Sequence, residues 1–285
     1  MISVFDEMRP QLFSLAYRML GTRADAEDIV QEAFLRWQSA DQEEVRNTRS
    51  YLNSIVARLS LDALKSARRK REAYVGTWLP EPIEAAPTPA AQAEFADSLS
   101  VAFLHVLESL SPAERVAFLM REIFGEDYKE VAGVLETSEA NCRQLVTRAR
   151  QQIQSKRPRF QVDPDHHRAV LREFLTACAN EDKTALVGLL REDAVLYADG
   201  GGKRQAALNP IYGADRISRF FLGVRAKWPL ALRAVPVTVG GTPSVLLYSG
   251  DEIDSLVNLD LDEEGRILGV YIIRNPDKLM PLSVS

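Results

Sequence analysis

One stretch of the chain combines side chains that read DNA bases with side chains that hold phosphates. Glu139, Asn141, Arg143, Gln144, Thr147 and Arg148 face outward from a helical repeat whose inward stripe is Cys142, Val146, Ala149 and Ile153, at i, i+4, i+7 and i+11. Asn, Gln and Arg are the residues able to form paired hydrogen bonds to base edges in a major groove. Arg143, Arg148, Arg150, Lys156, Arg157 and Arg159 follow with no acid between them, a pattern suited to the phosphate backbone. A second basic stretch, Arg58 to Arg71, holds six Lys or Arg against Asp62 alone. No metal-ligand spacing appears.

The base-reading face needs a helix pair to present it. Val131, Ala132 and Leu135 share one face of a helix starting at Tyr128, Glu136-Thr137-Ser138 supplies a short turn, and the basic helix follows. This is the helix-turn-helix plan, and a helical hairpin with a solvated basic face is the plain alternative. The whole-chain charge of −5 over 285 residues argues against a nucleic-acid binder only as an average. Residues 81–139 hold twelve acids against three bases, so an acidic stretch separates the two basic ones.

Residues 4–73 hold no proline after Pro10 and a single glycine, Gly21, and their apolar residues recur at helical spacing. Residues 74–93 hold four of the fourteen prolines and read as a linker, although Tyr74, Trp78 and Leu79 are apolar enough to dock on a neighbouring domain. Residues 94–157 return to helix, with a capping box at Ser111-Pro112-Ala113-Glu114. Beyond Pro158 come a helical region at Arg168–Leu190, another near Gly213–Lys227, and the strand-like runs LALRAVPVTV, SVLLYSG, SLVNLDLD and RILGVYIIR, with a hairpin turn at Glu264-Gly265. The expected architecture is two all-α domains, 1–73 and 94–157, a Pro-rich linker at 74–93, a short linker at 158–164 and an α+β domain at 165–285. Two cysteines, no apolar run of spanning length and no basic-then-apolar start fit a cytoplasmic chain with no membrane association.

These strings resemble a known family. RPQLFSLAYRMLGTRADAEDIVQEAFLRW with YLNSIVARLSLDALKSARRKRE is similar to region two of bacterial sigma factors, and LSPAERVAFLMREIFGEDYKEVAGVLETSEANCRQLVTRARQQI to region four. The lack of a third sigma domain between them resembles the extracytoplasmic-function class. YVGTWLPEP, DGGGK and NPDKL resemble the motifs of the subgroup with a fused SnoaL-like domain of cone-shaped NTF2-like fold. The resemblance implies a subunit that binds core RNA polymerase, at the clamp of the largest subunit and the flap of the second largest, and brings it to promoter DNA. Asp25, Asp28, Gln31 and Glu32 are then the clamp-docking residues. Asn53, Arg58, Asp62, Lys65, Arg68 and Arg69 are candidates for the −10 strand, with solvent exposure or a local helix bond the alternative for Asn53 and Asp62. The recognition helix reads the −35 groove. CRQLV stands where many sigma factors have a Val-Lys-Ser-Arg-Leu type run, so no −35 preference transfers.

SnoaL relatives include cyclases with an Asp acid/base, which makes Asp199 the candidate carboxylate. It is followed by Gly200, Gly201 and Gly202, a turn, and no histidine lies beyond it. We therefore expect no catalytic residue, no cofactor, and a structural turn in which Asp199 pairs with Lys203 or with neighbouring backbone. Trp78, Leu79, Pro80, Asp199 to Lys203 and Asn275, Pro276, Asp277, Lys278 and Leu279 are expected to act in regulation or between domains, tuning promoter engagement in cis. Phe174, Cys178, Phe220, Phe221, Trp228, Tyr248 and Tyr271 are expected to line the cone, where a small-molecule ligand stays open. The alternatives are a stand-alone helix-turn-helix regulator that senses a ligand and a cyclase or isomerase fused to a DNA-binding module.

Overall fold

The structure, a computed structural model, describes residues 2–41, 45–83, 99–156, 162–227 and 232–282. It divides into two compact units, Met1–Ala73 with Leu104–Arg157, and Tyr74–Phe103 with Pro158–Ser285. No helix among the described residues is long and apolar enough to cross a membrane.

The first unit begins with α1 (Ile2–Leu20), α2 (Arg23–Ser39) and α3 (Thr48–Glu72). Phe5, Leu12, Leu15, Ala16 and Met19 of α1 are buried against Ile29, Val30, Ala33 and Trp37 of α2 and Leu52, Ile55, Val56 and Leu64 of α3. Gly21, at φ 73, ends α1 with its N–H on Tyr17 O at 2.7 Å, a left-handed position that glycine adopts without strain. Asn47 caps α3 by accepting from Ser50 N.

Of the helix expected to resume at residue 94, the structure describes α4 (Val101–Leu107); residues 94–98 lie outside the described residues. α5 (Pro112–Phe118) opens on the expected capping box, with both of its reciprocal hydrogen bonds made, and runs into a π turn, Leu119–Ile123. α6 (Tyr128–Leu135) and α7 (Glu139–Lys156) follow. Asp127 caps α6, Glu136 ends it at φ 51, and Cys142, Val146, Ala149 and Ile153 bury the inner face of α7.

The second unit contains α8 (Pro164–Ala179), α9 (Lys183–Leu189), β1 (Leu190–Asp199), β2 (Ile211–Tyr212), α10 (Ala214–Lys227), β3 (Arg233–Val239), β4 (Thr242–Ser249), β5 (Glu252–Leu261), β6 (Ile267–Ile273) and α11 (Pro276–Leu279). The six strands form one mixed sheet in the order β2-β1-β6-β5-β4-β3, parallel only between β1 and β6. The helices α8, α9 and α10, packed together on one face of a mixed sheet, make this an α+β domain, as expected. The helical region expected at Arg168–Leu190 is two helices. Glu181 turns at φ 55 and Asp182 accepts from Ala185 N, so a new helix starts there.

The sheet is covered on both faces. Val257, Leu259 and Leu261 of β5 pack with Val170, Phe174, Leu186 and Ile217 from the helices. Leu256, next to Val257 in sequence, packs on the other face with Leu79, Val101, Tyr248, Tyr271 and Ile273. This corrects part of the expected cone lining. Phe174, Cys178, Phe220 and Phe221 belong to the helix-side core, but Tyr248 and Tyr271 lie on the opposite face, because strand alternation sends them there. Trp228 lies outside the described residues.

Candidate nucleic-acid interface and the Asp199 node

On α7, Glu139, Asn141, Arg143, Gln144, Thr147 and Arg148 are all exposed on the face away from the buried stripe. Arg143 is held in place. Its guanidinium lies 4.5 Å from the Tyr128 ring centroid and pairs with Glu139 at 3.2 Å. Asn141 Nδ2 donates to Thr137 Oγ1 at 3.0 Å and Thr147 Oγ1 to Arg143 O at 2.8 Å. Arg150, counted in the basic run, forms a two-pronged pair with Glu122 at 2.9 and 2.7 Å and ties α7 to the π turn instead of offering a bare charge.

On α2, Asp25, Asp28 and Gln31 are exposed and Glu32 pairs with Arg36 at 3.0 Å, so the expected docking residues share one ridge, beside the exposed Leu35. On α3 the expected −10 set divides. Asp62 and Lys65 are exposed and pair with each other at 3.0 Å, and Arg58 Nη2 donates to Gly133 O at 2.8 Å. The side chains of Arg68 and Arg69 lie outside the described residues. Asn53 is 0% exposed, which replaces both plain alternatives for it. Its Oδ1 accepts from Gln11 Nε2 at 3.3 Å and its Nδ2 donates to Glu126 Oε1 at 2.7 Å. Glu126 also accepts from Ser50 Oγ at 2.5 Å. Neither Ser50 nor Glu126 is marked by local sequence pattern; both look like ordinary residues near helix caps.

A second seam in this unit is built on arginines. Arg115, buried, donates to Met19 O and pairs with Glu108, both at 2.7 Å, while Arg71 bonds the same carboxylate and Leu20 O. Burial holds Arg71 below the usual arginine range and, with little compensation, lowers Arg18 to about 9.

In the second unit the three turn motifs converge on one carboxylate. Asp199 is 0% exposed. Its Oδ1 accepts from Tyr74 O–H at 2.6 Å and Gly201 N at 3.0 Å; its Oδ2 accepts from Leu79 N at 2.9 Å and Lys278 Nζ at 2.7 Å. Lys278 Nζ also donates to Leu79 O and sits 4.2 Å from the Trp78 ring centroid. Asn275 Nδ2 donates to Tyr74 Oη at 2.8 Å. Burial first, then the bond to Asp199, pushes the Tyr74 phenol above its ordinary range. Leu79 and Pro80 are buried and Trp78 half-buried, and Leu79 packs in the core of the second unit.

Of the two arrangements expected at Asp199, the bond to neighbouring backbone is made, at Gly201 N, and the pair with Lys203 is not. Gly201 and Gly202, at φ 62 and 69, turn the chain so that Lys203 points to Asp277, at 2.7 and 2.6 Å on the surface, and Lys278 takes Asp199. Gly201 admits no side chain, since a Cβ there would lie 2.4 Å from Asn275 Nδ2, and one at Gly200 would lie 2.1 Å from Arg204 O. Pro276 and Leu279 complete the short α11 that carries Lys278 inward. With every Asp199 oxygen taken by two donors, this carboxylate holds a junction together. Among the described residues no group of His, Cys, Asp and Glu is arranged to hold a metal.

Comparison with known proteins follows the same division. Residues 4–70 match the family model "Sigma-70 region 2" and residues 100–153 match "Sigma-70, region 4". The ECF RNA polymerase sigma factor SigJ of Mycobacterium tuberculosis is 38% identical, over 97% of this chain and 92% of the relative. The probable ECF sigma factor SigI of the same organism is 34% identical over 96% and 93%. The crystal structure of Mycobacterium tuberculosis SigJ superposes with a TM-score of 0.78 at 34% identity, covering 99% of both chains. Likeness of this degree runs through both helical segments and on through the α+β domain, and the chain belongs to the extracytoplasmic-function sigma factors of RNA polymerase.

Proposed function

We propose that this sigma factor docks on core polymerase through the α2 ridge of Asp25, Asp28, Gln31 and Glu32, at the clamp of the largest subunit, with its second helical segment on the flap of the next. It presents Glu139, Asn141, Arg143, Gln144, Thr147 and Arg148 to the −35 major groove, and Asn53, Arg58, Asp62, Lys65, Arg68 and Arg69 to the −10 strand, acting in the cytoplasm. The observation that carries the −35 reading is the exposed face of α7, where base-compatible side chains stand opposite a fully buried stripe. The C-terminal domain tunes initiation in cis through the node that joins Tyr74, Leu79, Asp199 and Lys278. The segment that follows α3 is thereby bonded directly to the DGGGK and NPDKL turns.

The test is co-purification with core polymerase, followed by transcription from a cognate promoter. Full-length protein, Asp199→Ala and Asp277→Ala should all bind core, and the Asp199 variant should change initiation more than the Asp277 variant, whose ion pair is exposed. Equal transcription by all three would remove the cis role; failure to bind core would remove the docking assignment.

A further inference from the structure

Part of the α3 set assigned above to the −10 strand is already occupied. Ser50 Oγ and Asn53 Nδ2 both donate to the carboxylate of Glu126, one to each oxygen. All three residues are buried. Gly125, at φ 73, makes the turn that aims Glu126 at α3. The segment is fixed from its own side by Arg121 Nη1 on Glu126 O and by Glu126 N on Met120 O, both at 2.9 Å. It is fixed from the α3 side by Arg49 Nη2 on Phe124 O at 3.2 Å. Arg58 is engaged as well, on Gly133 O.

The chemistry of the occupied site defines what else it takes. A serine hydroxyl and an amide N–H₂ offer two neighbouring donors, and an ionised carboxylate is an acceptor only. An unstacked base edge with carbonyl and ring-nitrogen acceptors, or a phosphate of the same strand, offers matching groups. We propose that Glu126 is an internal stand-in for the non-template strand: it fills the donor pair of Ser50 and Asn53 in the free protein, and single-stranded DNA enters only when Glu126 withdraws. The proposal rests on the assignment of Asn53 to the −10 strand. It gives the acidic stretch between the two basic ones a specific agent, one carboxylate seated on one donor pair.

The experiment uses the full chain and a short labelled single-stranded oligonucleotide of degenerate sequence, read by fluorescence anisotropy at fixed salt. Glu126→Ala should raise the affinity of the free protein about tenfold, the order set by one charge-assisted hydrogen bond. Glu126→Gln, close to isosteric and retaining one acceptor oxygen, should raise it less. Adding Asn53→Ala to either should remove the gain. No gain in the Gln variant overturns the proposal even if the Ala variant fails to fold. A gain that survives Asn53→Ala also overturns it, since it would reflect only the lost negative charge. Co-purification of wild type and Glu126→Gln with core polymerase is read separately: loss of both is a failure of the sigma-factor docking assignment, whereas binding by both with unchanged DNA affinity is a failure of the stand-in alone.

Discussion

At the scale of single residues, Asp199 shows how much one buried carboxylate can organise. Its partners come from three separated motifs, and Lys278 is the only cation among the four groups bonded to it. Removing one member of a buried ion pair leaves the other desolvated without a counter-charge, which costs about 3–5 kcal/mol. Asp199→Asn should therefore destabilise the second unit by about 3 kcal/mol in chemical unfolding, and Asp199→Asn with Lys278→Met should cost much less than the two singles added. Additive losses would show that the pair is not the source of the effect. The sequence made these motifs visible as turns, through Gly200-Gly201-Gly202 and Asn275-Pro276, but not as partners. Local reasoning pairs Asp199 with Lys203 because they are close in sequence; two left-handed glycines and a four-residue helix decide otherwise. Glu126 was illegible for the same reason, since nothing near it in sequence names Ser50 and Asn53, more than seventy residues away.

At the scale of elements, the signals that proved sufficient were those contained in a single helix or strand. The capping box at Ser111–Glu114, the buried stripe of α7 and the turn at Gly265 follow from local periodicity and local hydrogen bonding. What periodicity could not resolve was the break between α8 and α9, where only Asn180, Glu181 and Asp182 interrupt the pattern, and the two-sided burial of β5, where apolar residues face both ways. The turn of the helix-turn-helix carries a testable strain. Glu136 closes α6 at φ 51, in the left-handed region where a side chain costs about 1 kcal/mol or more and glycine does not. It is exposed, so its side chain supports no core packing. Glu136→Gly should raise stability by about 0.5–1 kcal/mol after the extra chain entropy of glycine, whereas Glu136→Ala should leave it within about 0.5 kcal/mol. Thermal unfolding of the pair decides it, because equal shifts in the two variants would trace the effect to charge and not to the backbone.

At the scale of the whole molecule, the order of the chain and the division into compact units do not coincide. Residues between the two sigma segments, Tyr74–Phe103, belong with Pro158–Ser285, so the C-terminal domain is completed by chain that lies before it in sequence. Leu79, Val101 and Ala102 cover the sheet face formed by Val239, Leu246, Tyr248, Leu256, Tyr271 and Ile273. Burying side chains such as Leu79 and Val101 is worth about 1.5–3 kcal/mol each. A protein of residues 158–285 alone would leave that face open, a contiguous apolar patch of the kind that drives self-association. It should therefore bind a hydrophobic dye and associate in sedimentation, and a peptide of residues 74–103 added in trans should return it to a dye-silent monomer. The same fragment carrying Asp199→Asn should respond weakly to the peptide, because Tyr74 and Leu79 lose the charged acceptor that registers them on the sheet. A monomeric, dye-silent fragment indifferent to the peptide would mean that the strap is accessory. A fragment rescued by the peptide would mean that the segment leaving the first sigma domain is a structural part of the C-terminal one, and any ligand or partner that loosens that domain would then act directly on the chain leading out of α3.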